Sequence, residues 1–272
     1  MVDLSTYSMT KLRIFCVFHY KLYDECFDHL PADEKDQIVM YATNERLPKL
    51  YSSDRNYNII EEYKLPNYTE VYQDRNYSET SCFFHAIRNN LPSAMGLDYI
   101  GFMQYDMILP SGLVSDITGT IDGDSQKQHI FYMEQMHFSH PHGINGKLKD
   151  YFFGDNDLNM LNRFNASRSH HASQTSISLD NNDHCNFFLF NTYVIPTQMF
   201  VDMMAFMQVY IDDWMKTGKF ADSCPAGILE RAYGIYLYWR SLDACTVSHR
   251  IHIDHNRSLN IRATTNKILG FT

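Results

Sequence analysis

The sequence predicts an α/β protein, built on a mostly parallel sheet flanked by helices. Two observations carry this. LRIFCVF at 12–18 and DYIGFMQ at 98–104 are unbroken apolar runs of strand length, the pattern of strands buried on both faces. Helical patterns and polar turns separate these runs, and such alternation with short connections favours a layered fold with parallel strands.

The elements follow in order. Residues 23–30 carry a short helical pattern ending at Pro31. Residues 37–43, QIVMYAT, form a second buried strand, and 57–61 a third, short one. In SETSCFFHAIRNN, Ser78 can cap a helix with residues 83, 86 and 87 along one face. Pro92 and Gly96 mark its end. Residues 112–185 are rich in Gly, Asn, Asp, Ser and His and are expected to form loops and short helices. Residues 186–195, NFFLFNTYVI, return to strand character. Residues 197–216 and 228–240 have helical spacing, and SHRIHIDHNRSLN holds a short strand.

The 272 residues suit one large domain or two intimately fused halves, with a sizeable core. The net charge of −9 lacks the basic footprint of a nucleic-acid binder. An anionic substrate therefore needs a local device, such as a metal ion, a helix N-terminus or a few placed cations. Aromatics reach 14%, which suits sugar platforms or is a simple bias toward Tyr. None of the 6 Cys forms a CxxC pair, which argues against a zinc ribbon. Several lie in apolar runs, so a reducing, cytoplasmic setting is expected. IFCVF is too short for a secretory signal, and no run approaches the ~20 residues of a membrane span. NYT, NYS and NAS at 67, 76 and 165 read as chance matches to the glycosylation pattern in such a setting.

Ligands of open α/β sheets lie beyond the carboxyl ends of the strands. His19, Asn44 and Asp106 each follow a predicted strand and can converge there. A carboxylate at Asp106 suits Mg²⁺ or Mn²⁺, hard cations that also bind substrate phosphate. It equally suits an Asp that caps the next turn. In HIDHN, His252, Asp254 or His255 can add a second ligand, or the segment is a solvated polar tail. Glu230, at the head of a helix, is a general-base candidate or an electrostatic decoration of that helix. HPH at 140–142 and HH at 170–171 lack zinc spacing. No Walker loop, GxGxxG, GxSxG or HExxH is present.

FCVFHYKLYDECF, YATNERLPKL, YSETSCFFHAIRNN, DYIGFMQYDMIL and LERAYGIYLYW, in this order, resemble GT-A-type glycosyltransferases. The likeness is to sugar transferases of large algal (chlorella-type) DNA viruses and to related bacterial capsule-type enzymes. It covers residues 12–110 well and 186–240 loosely. It implies a single GT-A-type domain over 1–272: a nucleotide-sugar-binding half at about 10–110, and an acceptor-binding half with the tail at about 111–272. The family's metal motif is Asp-x-Asp at a strand end. Here Gln104-Tyr105-Asp106 keeps only the last acid. The resemblance places His19 and Asn44 near the base or ribose, and Tyr77, Ser81 and Arg88 on a donor-facing helix. It completes the metal site with His255 or His252 and makes Glu230 the base of an inverting enzyme. The implied reaction moves a sugar from a nucleotide-diphosphate donor, UDP-linked first of all and UDP-xylose among the candidates, to a glycan on a glycoprotein or polysaccharide. Two rivals stand beside it: a metal-dependent phosphohydrolase, and a non-catalytic glycan-binding protein on a transferase scaffold.

Overall fold

The computed structural model describes residues 10–18, 23, 26–43, 57–74, 78–139, 184–217 and 225–254. The strands are β1 (Leu12–Phe18), β2 (Ile38–Ala42), β3 (Asn58–Glu61), β4 (Tyr99–Gln104), β5 (Gln128–Ser139), β6 (His184–Pro196) and β7 (Thr246–Arg250). The helices are α1 (Ala32–Lys35), α2 (Val71–Asp74), α3 (Ser81–Arg88), α4 (Leu91–Ala94), α5 (Leu113–Gly123), α6 (Thr197–Thr217) and α7 (Pro225–Ser241).

All seven strands join one sheet in the order β3-β2-β1-β4-β6-β5-β7. Neighbours are parallel except at β6, which runs antiparallel to both β4 and β5. The expected mixed, mostly parallel sheet is therefore present, and both expected halves contribute strands to it.

Strand alternation sorts the apolar residues into two cores, one on each face. From β1, Phe15 and Val17 join one core, and Ile14, Cys16 and Phe18 the other. From β4, Ile100 and Phe102 join the first, and Tyr99 and Met103 the second. This is why those strands read as unbroken apolar runs. Residues of α3, α6 and α7 cover the first face, and Val114, Ile117 and Ile121 of α5 the second. Gly101 in mid-β4 permits this packing, since a Cβ there would lie 2.9 Å from Val194 Cγ2 and 3.0 Å from Ile14 Cγ1.

Two expectations are corrected. Pro31 does not end a helix over 23–30. It caps the start of α1, where its missing N–H costs nothing. Helix α3 ends at Arg88, before Pro92 as expected, and Pro92 itself lies in the first turn of α4. The reading of 112–185 as loops and short helices holds for α5 at 113–123 but fails at 128–139, which form the 12-residue strand β5. The buried face of α5 is set by Val114, Ile117 and Ile121, a helical spacing hidden among Gly and polar residues. Residues 140–183 lie outside the described residues.

Among the described residues, Cys16 and Cys82 are buried free thiols. Burial pushes the Cys16 and Cys82 thiols well above their ordinary range, which makes them inert packing groups. No helix there is long and apolar enough to cross a membrane.

Candidate functional site at the carboxyl end of β4

The strongest irregularity in the sheet lies beside the end of β4. Phe102 of β4 pairs with Tyr193 of β6. Just before Tyr193, β6 bulges: Tyr132 pairs with Tyr193 but Glu134 with Leu189. Phe190 and Asn191 in the bulge have φ of 71° and 48°. Two successive non-glycine residues in the left-handed region are uncommon, and strain of this kind clusters at functional sites.

Side chains from four segments meet here. Gln104 ends β4, and Asp106 follows in the next turn, 2% exposed. Glu79 comes from the 3₁₀ turn Ser78–Thr80 that leads into α3. Gln104 Nε2 donates to Glu79 Oε1 at 3.5 Å. Burial raises the Glu79 carboxyl above its ordinary range, and the nearby Asp106 charge raises it further. A backbone hydrogen bond and the Asn191 carboxamide act in the opposite sense. Glu230 comes from α7, and its Oε1 accepts the Phe190 N–H at 3.0 Å. Thr192 ties the bulge down: its hydroxyl donates to Phe190 O at 2.9 Å and lies 3.2 Å from Met107 Sδ.

Helix α7 can reach β6 this closely because of Gly234, whose absent Cβ would fall 1.9 Å from Phe188 O. Glu230 lies one helical turn earlier and shares that face. The sequence LERAYG therefore holds both the carboxylate and the clearance that brings it to the strand.

The C-terminal segment approaches the same edge. Asp254 bridges Ile108, two residues past Asp106, in antiparallel sense. That sense sets His252 on the Pro110 side of Ile108, away from Asp106. His252 is exposed and lines a cleft of about 220 Å³ with Glu134, Arg250 and Asp254.

Of the expected site residues, the structure brings Gln104 and Asp106 together and anchors Glu230 on the neighbouring bulge. Tyr105 turns into the second core, 3% exposed, and stacks on Tyr23 at 5.8 Å between ring centroids. Its ring thus fixes the turn that carries Asp106. Ser81 is fully buried and donates to Glu62 Oε2 at 3.1 Å. Arg88, exposed at the far end of α3, donates to Asn67 O at 3.1 Å. Both brace the segment before α2. His85 Nδ1–H donates to Glu62 Oε1 at 2.6 Å, because His85 Nε2 accepts the Thr69 N–H at 3.1 Å. His19, Asn44, Tyr77 and His255 lie outside the described residues. Two residues were not singled out from the sequence: Glu79, two places from Ser81, and Asn191, a polar residue inside an apolar strand.

The donor set fits a hard divalent cation. Asp106 and Glu79 are carboxylates close enough to repel each other in a largely dry setting, and a cation would relieve both. Among the described residues, no three His, Cys, Asp or Glu side chains group closely enough to enclose an ion. A cation at Asp106 and Glu79 would therefore keep positions for water or substrate oxygens, as Mg²⁺ sites usually do.

Known structures share this fold. The sequence itself matches no family profile and no curated protein sequence. By structure, the chain is similar to the bifunctional glycosyltransferase WbbM in its apo form, with a TM-score of 0.54 at 13% identity. The match covers 90% of this chain and 45% of WbbM, so the chain spans less than half of that protein. Fainter likenesses, both with a TM-score of 0.38, are to two fungal proteins. One is core-mannan synthase A (CmsA/Ktr4) of Aspergillus fumigatus in its Mn/GDP form, at 10% identity over 89% of this chain and 73% of that one. The other is the mannosyltransferase Ktr4p of S. cerevisiae in complex with GDP, at 9% identity over 84% and 67%. The architecture is thus one that a glycosyltransferase uses, the GT-A-like sheet with flanking helices.

Proposed function

We propose that the chain is a metal-assisted glycosyltransferase that moves a sugar from a nucleotide-diphosphate donor to a glycan acceptor. One observation carries this reading. Glu230 on α7 is hydrogen-bonded to the strained bulge of β6, and the buried carboxylate Asp106 follows β4, the strand paired with β6, at the sheet edge where ligands of such folds bind. The shared fold with WbbM is consistent with it.

Asp106 and Glu79 would hold Mn²⁺ or Mg²⁺, which supplies charge stabilisation to the departing nucleoside diphosphate. Gln104 stands where the family motif has its first acid, yet its amide holds Glu79. A carboxylate from another segment thus lies beside the residue that replaces the missing acid, which weighs against a decayed, non-catalytic scaffold. The phosphohydrolase reading wants more acidic ligands than this pair provides.

Glu230 is the general base. The Phe190 N–H fixes one carboxylate oxygen, so the group is oriented before substrate arrives. It removes the proton of an acceptor hydroxyl as that oxygen bonds to the anomeric carbon. The bond from that carbon to the phosphate oxygen breaks, the nucleoside diphosphate leaves, and configuration inverts. His19 and Asn44, on the segments after β1 and β2, are assigned to the base or ribose, with uridine as the first candidate. A screen of nucleotide sugars for donor hydrolysis, with and without Mn²⁺, tests the reading. Metal-dependent release of one nucleoside diphosphate supports it. Hydrolysis of simple phosphate esters without cleavage of any nucleotide sugar contradicts it.

A further inference from the structure

Asn191 is 3% exposed, and neither Nδ2 nor Oδ1 of its carboxamide completes a hydrogen bond. Leaving such a group buried and unsatisfied is costly, and natural proteins rarely do it. The same residue sits at φ 48°, directly after Phe190 at φ 71°. Glycine would remove the backbone strain, and an apolar side chain would remove the unsatisfied group. The chain has neither.

The carboxamide faces the Glu79 carboxyl, near enough to favour its ionised form though not aligned for a full hydrogen bond. On the other side Gln104 Nε2 holds Glu79 Oε1 at 3.5 Å. Next to Asn191, the Phe190 amide is taken by Glu230. A ligand meeting Asn191 therefore finds two amide donors, an amide acceptor and a carboxylate within one small region.

This set selects a ligand by its chemistry. Phosphate oxygens accept and do not donate, so they would leave the Asn191 Oδ1 acceptor unsatisfied. An apolar group would leave the carboxamide as it is. Adjacent hydroxyls both donate and accept, so they satisfy the amide and the carboxylate together. We propose that Asn191, with Glu79, grips neighbouring hydroxyls of the sugar on the donor, and so selects which sugar is transferred. This deepens the proposed function and rests on it.

The test compares two ligand classes on the full chain with Mn²⁺: UDP and GDP alone, and a panel of their hexose and pentose conjugates. Calorimetry gives a Kd for each with the parent, Asn191→Gly and Asn191→Asp. Glycine accepts φ 48° without strain, so Asn191→Gly is expected to melt at or above the parental temperature. It should bind the nucleoside diphosphate as the parent does. It should bind the preferred nucleotide sugar about tenfold or more weakly, the loss expected when a sugar hydroxyl loses its partner. Asn191→Asp, without the amide donors, should show the same selective loss. Parental affinity of Asn191→Gly for the nucleotide sugar overturns the inference alone. So does an equal loss of both ligands together with a lower melting temperature, which would mark a structural role. A parent that binds neither ligand class overturns the proposed function as well.

Discussion

Replacing Gly234 by Ala tests how the proposed base, Glu230, is positioned, and two opposing effects must be weighed. In an exposed helix interior this change stabilises by up to ~1 kcal/mol, because Ala loses less backbone entropy. Here the added Cβ would lie 1.9 Å from Phe188 O, 2.9 Å from Phe188 C and 3.1 Å from Phe188 N. Ordinary contact begins at 3.4 Å, so α7 and β6 must part by 3.4 − 1.9 = 1.5 Å along that line. The obstacle is backbone on both sides, so no side chain can swing away. A radial gap of ~0.5–1 Å already forfeits a quarter to a half of each dispersion contact, and overpacking typically costs ~1–3 kcal/mol. The contacts at risk include those of Tyr233 and Leu237, both fully buried on α7. The steric cost wins, with a net loss of about 2 kcal/mol, or a fall of ~4–8 °C in Tm for a chain of this size. Glycosyl transfer should fall further than stability does, because Glu230 is tied to Phe190, two residues from the clash. Differential scanning calorimetry and a transfer assay at a temperature where the variant is folded measure both. A Tm equal to or above the parent's would refute the close approach of α7 to β6.

Two further outcomes follow from the site. Glu230→Gln should lower turnover by ~10²–10⁴, the usual worth of a positioned base, while nucleotide affinity by calorimetry stays parental. Parental turnover would remove Glu230 from the role. Glu79→Gln should raise the Tm of the metal-free protein at neutral pH. The Glu79 carboxyl is raised in the folded state, so its contribution is present below the ordinary carboxylate value of ~4.3 and lost as pH rises past it. The gain from Glu79→Gln should therefore shrink as pH falls toward 4, and a constant gain would contradict the burial and Asp106 repulsion assigned to it.

The sheet was largely legible because β1, β2 and β4 are buried on both faces, and double burial writes itself as an unbroken apolar run. Helix α5 was less so, since Gly119, Gly123 and five acidic or hydroxyl residues dilute the spacing of its three buried residues. Strand β5 was missed for a related reason: Met133 is buried but Glu134 and Tyr132 are only half-buried, a pattern with polar residues throughout. At the site, Asp106 was readable as a carboxylate just past a strand. The contribution of Asn191 depends on a bulge whose register is set by β5, and that of Glu79 on a contact with Gln104 25 residues away. Neither leaves a local signature. The expectations for Ser81 and Arg88 assumed that a shared helix face points at the donor. Burial of Glu62 at 0% exposure instead draws Ser81 inward to satisfy a carboxylate.

Calorimetry of nucleoside diphosphate binding with and without Mn²⁺, on the parent chain and on Asp106→Asn, bears most directly on the proposed role of the β4 edge. The substitution keeps the side chain's size and removes its charge. The account predicts binding by the parent that depends on the ion and is lost in Asp106→Asn, with the fold intact by circular dichroism. Binding that is indifferent to Mn²⁺, or equal in parent and variant, would contradict it.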